Sequence, residues 1–196
     1  MSSPALGPAA FPDLLAIARA EVAAGRDLAP LSQMACCLNS GTGGAPRDPA
    51  LACAIWGVLV AATPPHPDAA FNLGVALDTG GLGGVALDAP RAARLYAVAA
   101  AAGDARAQIN LARLFRLGRG VAQDFKRSTA LLEDACRQGS AMAQMHLGAY
   151  LKGGVFAPSD AERALGLFRA AAAQGDAAAT AIVARWPADD MAIVLL

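Results

Sequence analysis

The feature that most constrains this chain is a segment that returns every 36 residues. Three stretches close on Gly103, Gly139 and Gly175, evenly spaced. They open on Ala69, Ala107 and Ala143, each followed four residues on by a leucine (Leu73, Leu111, Leu147) and then by glycine or alanine. Each carries an aspartate in mid-course: Asp88, Asp124 and Asp160. A fixed period of this length marks a stacked array, in which one unit cannot bury its apolar face alone and does so against its neighbour. The segments show helical spacing of apolar residues and no period-two alternation, so the expected class is all-α, built from antiparallel helix pairs.

Composition agrees. Of 196 residues, 56% are hydrophobic, 5% aromatic and 16% charged, and the excess is alanine, the strongest helix former and one that lets helices approach closely. Sixteen basic residues balance sixteen acidic ones, so no global field draws the chain to nucleic acid or to an anionic membrane. Mean hydropathy is +0.40. The longest apolar run, 50–62, falls short of the ~20 residues that span a bilayer and reads as a buried helix. The first residues lack a basic segment and a long apolar one, so no secretory leader is expected. Four cysteines, Cys36, Cys37, Cys53 and Cys136, are too few for a disulfide framework, and reduced thiols in a cytoplasm are the expectation.

Along the chain, residues 1–10 read as disordered and 11–29 as a capping helix that starts near Pro12 and stops at Gly25. Residues 30–66 form a worn copy of the repeat, with Met34-Ala35 at the Leu-Gly position, Leu38 at the following aromatic position and Asp48 as the aspartate. It has one extra residue near Gly44 and no closing glycine. Full repeats cover 67–103, 104–139 and 140–175, a half-repeat covers 176–186, and 187–196 is a tail. Within each repeat a first helix (A) ends in a glycine-rich turn (Gly80–Gly84, Gly118 to Gly120, Gly153-Gly154). A second helix (B) runs from the aspartate to the closing glycine. The aspartates stand where an N-cap belongs. The closing glycines stand where a left-handed C-cap belongs, each followed by Asp or Ser to cap the next helix A. The small residue after the leucine removes a side chain where two helices cross.

These residues resemble the Sel1-like repeat family, a relative of tetratricopeptide repeats. The second full repeat follows the family frame from Ala107 through Leu111, Phe115, Gly118, Gly120-Val121 and Asp124 to Gly139. The resemblance spans about 30–186. Departures are two extra loop residues around Gly80–Gly84, Phe156 in place of a turn glycine, and leucine at the tryptophan position (Leu95, Leu131, Leu167). The resemblance implies a right-handed superhelical solenoid acting as a scaffold or adaptor, with no intrinsic catalysis and no cofactor. Some relatives are secreted and staple each repeat with a cysteine pair. On that resemblance Cys36 and Cys53 would face each other, but no other unit repeats the pair.

Candidate chemistry is sparse. Gly80–Gly84 lacks the Lys-Ser/Thr that follows a phosphate loop and has no strand before it, so it reads as a turn. Cys36, Cys37, Cys53 and His66 lack metal-ligand spacing. No nucleophile–base pair or paired carboxylates stand out. The sharper reading concerns helix A, which lines the concave groove in superhelices of the resembling family. Residues off its packing positions give Phe71 and Asn72 in the first full repeat. They give Arg106, Ile109, Asn110, Arg113 and Arg116 in the second, Met142, Met145, His146 and Lys152 in the third, and Arg185 in the half-repeat. The second half of this surface is basic, with Ile109, Met142 and Met145 as an apolar floor and Asn72 and Asn110 placed to clamp a peptide backbone. Arginine pairs with a carboxylate through two parallel hydrogen bonds, and methionine gives an adaptable apolar contact. The expected partner is a protein or peptide, acidic or ending in a carboxylate, with no nucleic acid and no membrane. The competing reading of the same residues is an ordinary solvated face. The chain's own tail, Asp189-Asp190 followed by an apolar stretch to Leu196, has matching chemistry for self-docking, with capping of the last helix as the other role. A secreted or periplasmic protein with a hydrolytic or cell-wall-binding role is the alternative from a different class.

Overall fold

The computed structural model describes residues 13–154 and 160–186. The expectations for residues 1–10, Pro12, Phe156 and the tail 187–196 lie outside them. Ten α-helices and no strand occur among the described residues. The chain divides into two compact units at the Gly103–Asp104 junction.

The first unit holds α1 (Leu14–Ala23), α2 (Ala29–Ser40), α3 (Pro49–Val60), α4 (Pro67–Thr79) and α5 (Ala89–Ala101). Helices α2 and α3 form one hairpin and α4 and α5 the next, with α1 packed on α3. Leu14 and Ala18 are the residues α1 buries. The worn first repeat thus keeps the helix pair despite its sequence drift. Its core is α3, whose twelve residues carry no charge and bury Ala52, Cys53, Ile55, Trp56 and Leu59.

The second unit holds α6 (Ala105–Leu117), α7 (Phe125–Arg137), α8 (Ala141–Lys152), α9 (Ala161–Ala173) and α10 (Ala177–Ala184). Here α6 pairs with α7, α8 with α9, and α10 lies on α9. Ile109, Ala112, Leu132, Ala135, Ala143 and Leu147 form a core cluster across α6, α7 and α8.

One hydrogen bond recurs in every hairpin. The N–H of the N-cap aspartate of helix B donates to a carbonyl in the last turn of helix A: Asp48 to Leu38, Asp88 to Leu77, Asp124 to Phe115 and Asp160 to Leu151, at 2.7–3.1 Å. The four acceptors each lie four residues after the leucine or methionine of their helix A: Met34, Leu73, Leu111 and Leu147. The aspartate side chains then accept from Leu51, Arg91, Arg127 and Arg163 N–H as N-caps. Two backbone N–H groups at the start of each helix B and one carbonyl at the end of each helix A are satisfied this way, which ties the hairpin together at its turn. The caps of helix A behave alike. Asp104, Ser140 and Asp176 accept from the backbone at their own helix starts, while α4 uses His66, whose Nδ1 accepts from Ala69 N–H at 3.4 Å. The closing glycines have φ of +92°, +82° and +88°, a region that costs other residues strain.

The small residue on helix A has the packing role its position suggests. A Cβ on Gly74 would stand 2.9 Å from the Tyr96 ring, and one on Gly148 the same distance from the Phe168 ring. Both rings are almost fully buried, so neither has free space to retreat into. In the second full repeat the pair is Ala112 with Leu132, both buried. A smaller partner on helix B admits a larger one on helix A. There Ser128 adds a buried hydrogen bond from its Oγ to the Ala112 carbonyl at 2.8 Å.

The loop of the first full repeat, longer by two residues, contains a 3-10 turn, Leu82–Gly84. It sits on the start of α3: a Cβ on Gly83 would meet the Pro49 carbonyl oxygen at 2.4 Å, and the Cys53 thiol donates to the Leu82 carbonyl at 3.8 Å. The glycine run is therefore a packed turn. Cys36 points elsewhere, toward the Asn72 amide nitrogen at 3.5 Å. No disulfide joins Cys36 to Cys53, nor any other two of the four cysteines.

Candidate binding face of the second unit

In the second unit, the exposed sides of α6 and α8 carry the basic residues singled out from the sequence. Four-residue spacing on α8 places His146 and Tyr150 on one stripe, their ring centroids 6.4 Å apart. Arg116, in the last turn of α6, lays its guanidinium over the same Tyr150 ring, with Cζ 5.3 Å from the centroid. This cation–π contact fixes a side chain that would otherwise be free to wander. The Arg116 carbonyl accepts from the Gln123 side-chain amide at 2.8 Å, which ties the helix end to the following loop. Its Nε–H is turned inward, shielded from solvent and without an acceptor.

The charges reach His146. Crowding by surrounding protein atoms, and then the positive charges of Arg116 and Arg113, hold its pKa below the ordinary histidine value. It therefore stays neutral at pH 7, and the patch draws its positive charge from arginine. Farther along, Lys152 stands over the Trp186 ring, with Nζ 4.2 Å from the centroid, and Trp186 in turn packs beside Phe168 at 5.7 Å. Met142 is 61% exposed. Met145, Asn110 and Arg113 are half-buried, and Arg185 is exposed after the end of α10.

Other predicted residues are placed differently. Ile109 is no floor residue: it is 6% exposed and belongs to the core cluster with Leu132 and Leu147. Arg106 folds back on the N-cap of its own helix, with Nη2 2.6 Å from Asp104 Oδ2 and Nε 3.1 Å from Oδ1. Burial works against ionisation of Asp104. The hydrogen bonds and charge of Arg106, together with the backbone N–H groups of Ala107 and Arg106, outweigh it and hold the carboxyl below its usual range. Phe71 and Asn72 belong to the first unit. Phe71 packs against Tyr96 at 6.2 Å, and the Asn72 amide donates to the Asp68 carbonyl at 2.9 Å as well as toward Cys36, so its donors serve its own unit.

Sequence reasoning missed the two rings that organise the face. Tyr150 sits one place before the frame's aromatic position, where the sister repeats bury Ala76 and Leu114. Trp186 lies beyond the last helix. The signal that was there is the His146–Tyr150 spacing and the Lys152/Arg185 charges around an otherwise rare tryptophan.

On the helix B side, an open hollow of about 400 Å³ is lined by Glu133, Cys136, Arg137, Leu147, Arg163 and Leu167. The Arg163–Glu133 ion pair at 2.7 Å spans it from α9 to α7, and Arg137 pairs with Asp134. Burial, with help from Glu133, pushes the Cys136 thiol up to about 11, so it is a protonated apolar wall and no nucleophile. No cluster of metal-ligating side chains occurs among the described residues, and no helix among them is long and apolar enough to cross a membrane.

Helix pairs joined by capped turns and repeated at 36 residues, with polar and aromatic side chains displayed on helix A, define an α-solenoid repeat protein. The Sel1 repeat family matches residues 31–56, 67–104, 105–140 and 141–176, and the chain belongs to that family. Among solved structures, it is similar to a protective antigen of uropathogenic Escherichia coli with an SLR fold. The identity is 29% and the TM-score 0.67, over 78% of this chain and 32% of that one. It is also similar to a Sel1 repeat protein of Oxalobacter formigenes, at 26% identity and TM-score 0.72, over 80% of this chain and 62% of that one. An immunity protein of Pseudomonas aeruginosa shares the fold at 19% identity, TM-score 0.50, over 90% and 70%. The chain thus spans about a third of the first of these proteins and under two thirds of the second. No curated protein matches the chain significantly. The family is one of protein-interaction scaffolds, typically without enzymatic activity.

Proposed function

We propose that this chain is an adaptor that receives an acidic segment of a partner protein on the α6–α8 face of its second unit. The observation that carries the reading is the placement of Arg116 and His146 beside the Tyr150 ring, with Arg113 near enough for its charge to act on His146. A cationic patch whose arginine is already held by an aromatic ring loses little side-chain freedom on binding, so more of its interaction energy appears as affinity. Met142 and Met145 beside it offer apolar contact that adapts to the partner. Sel1 membership supports a protein as the partner. Four cysteines with no disulfide among them fit a reducing compartment, and we place the chain in the cytoplasm.

The test is capture of partners from native lysate by the wild type beside the Arg113→Glu/Arg116→Glu variant, with quantitative mass spectrometry and circular dichroism to confirm folding. A partner retained by the wild type and lost by the folded variant supports the reading. Equal retention by both moves the binding surface away from this face.

A further inference from the structure

We propose that Arg116 and His146, flanking the ring of Tyr150, form a seat for one carboxylate. The inference rests on the reading that the α6–α8 face is the binding surface, and it names the groups that make the first contact. The two side chains come from different helices and both stand beside one ring, guanidinium to centroid 5.3 Å and imidazole centroid to ring centroid 6.4 Å, with the Arg116 charge acting on His146. The ring holds Arg116 in place, and its inward Nε–H has no acceptor. Among the described residues, none of the ion pairs of the second unit engages this guanidinium: Asp104 takes Arg106, Asp124 takes Arg127, Asp134 takes Arg137 and Glu133 takes Arg163. The outer Nη groups are the donors a planar carboxylate matches. An imidazole N–H beside them supplies a further donor, and a flat ring beneath excludes water from one side.

The seat is linked to protons. The charged groups that act on His146 are Arg116 and Arg113, both on α6. On its own helix it faces Tyr150. With no anion present, both arginines favour the neutral imidazole. A carboxylate arriving between Arg116 and His146 offsets that repulsion and favours the charged form. Binding then takes up a proton, so affinity rises as pH falls from about 7.5 toward 5.5, until the carboxylate itself begins to protonate near ~4. A side-chain carboxylate and a chain-terminal one satisfy the seat by the same chemistry.

The experiment uses acetate as the probe on the full chain. His146 is titrated by the NMR shift of its ring carbon in 200 mM sodium acetate and in 200 mM sodium chloride. The expected result is a His146 midpoint about half a unit higher in acetate than in chloride, with a shift of the Arg116 side-chain resonance that chloride does not produce. In Arg116→Gln the midpoint in chloride rises, because a positive neighbour is gone, and the acetate difference disappears. Equal midpoints in the two salts for the wild type, or an acetate effect that survives in Arg116→Gln, overturn the proposal. Two short peptides separate the sources, one amidated with an internal glutamate and one with a free C-terminus and no acidic side chain. Whichever shifts the His146 midpoint identifies the carboxylate, and a shift with neither overturns the seat for peptides. If a partner is lost by Arg113→Glu/Arg116→Glu while acetate has no effect, the face stands and the seat falls. If acetate acts and the partner is retained, the seat stands and the face is not where that partner binds.

Discussion

The hairpin α4–α5 of the first unit and the hairpins α6–α7 and α8–α9 of the second share one outline and hold it together with different chemistry. In the second unit the ends of each hairpin opposite the turn are joined by a side-chain amide pair. Gln138 donates to Gln108 at 2.9 Å and Gln174 to Gln144 at 3.0 Å. The same two positions in the first unit are Ala70 and Ala102, with Ala70 fully buried. Charge follows the same division. Residues 1–103 carry five basic and seven acidic side chains, and residues 104–196 carry eleven and nine. The first unit is assembled from apolar burial around the uncharged α3. The second fastens itself with polar clamps and displays cations. A repeat frame therefore specifies where the contacts fall and leaves their chemistry to each copy.

The contrast can be broken most forcefully at the helix crossing. Phe168→Leu leaves a void above Gly148, and Gly148→Ala drives a methyl into the Phe168 ring. Each is expected to lower stability by about 1–3 kcal/mol. The double variant rebuilds the Ala112–Leu132 pair and is expected to cost less than the sum of the two, read as a coupling energy from urea unfolding. Strict additivity would show that the two pairs are not interchangeable.

A smaller effect is expected at the clamps. Gln138→Ala leaves the buried Gln108 amide without this bond, at a cost of about 1–2 kcal/mol. Introducing glutamine at Ala70 and Ala102 together should leave the first unit no more stable, because the buried alanine site has no room for an amide. Amide hydrogen exchange at the starts of α6 and α4 reads both.

Below that come the caps and their pH dependence. Asp104→Asn keeps a capping oxygen and removes the charge, with a loss of about 0.5–1 kcal/mol at neutral pH. The folded carboxyl titrates lower than the ordinary aspartate value of ~3.9. Its stabilisation is therefore complete above that value and disappears as pH falls through the lower folded one, so the variant should flatten the acid limb of the stability curve below about pH 4. The smallest effect is at the Glu133–Arg163 pair. Both partners are substantially exposed, and Glu133→Gln should change stability by under about 1 kcal/mol. A larger loss there would mean that the hollow on the helix B side depends on this bridge.

What was legible in the sequence followed from local rules. Period, caps and closing glycines are written in single residues whose backbone roles allow few alternatives, and even the worn repeat kept Asp48 and the Leu38 register. The candidate face was legible as a set of charges, because Arg113, Arg116, His146 and Lys152 fall at repeat positions unused for packing. Which of them are held, and by what, was not. Ile109 occupies a repeat position that Phe71 leaves half-exposed, and only the packing of α7 and α8 around it makes it core. Arg106 reads as a groove cation until its own N-cap claims it. Tyr150 reads as one more hydrophobic residue until Arg116 lies over it. Each of these depends on a contact between residues far apart in the chain, and the repeat frame carries no information about those contacts.

The backbone bond from each N-cap aspartate back to the last turn of helix A closes the hairpin before the intervening loop has any say. The loop between Leu77 and Asp88 is longer than its counterpart between Phe115 and Asp124, yet the bond is made in both. The turn thus takes two more residues without losing that bond, and in the first unit the longer turn finds packing of its own on the start of α3. New segments can be written into it, by evolution or by design, while the helices on either side keep their register, and a family built this way can acquire new partners one loop at a time.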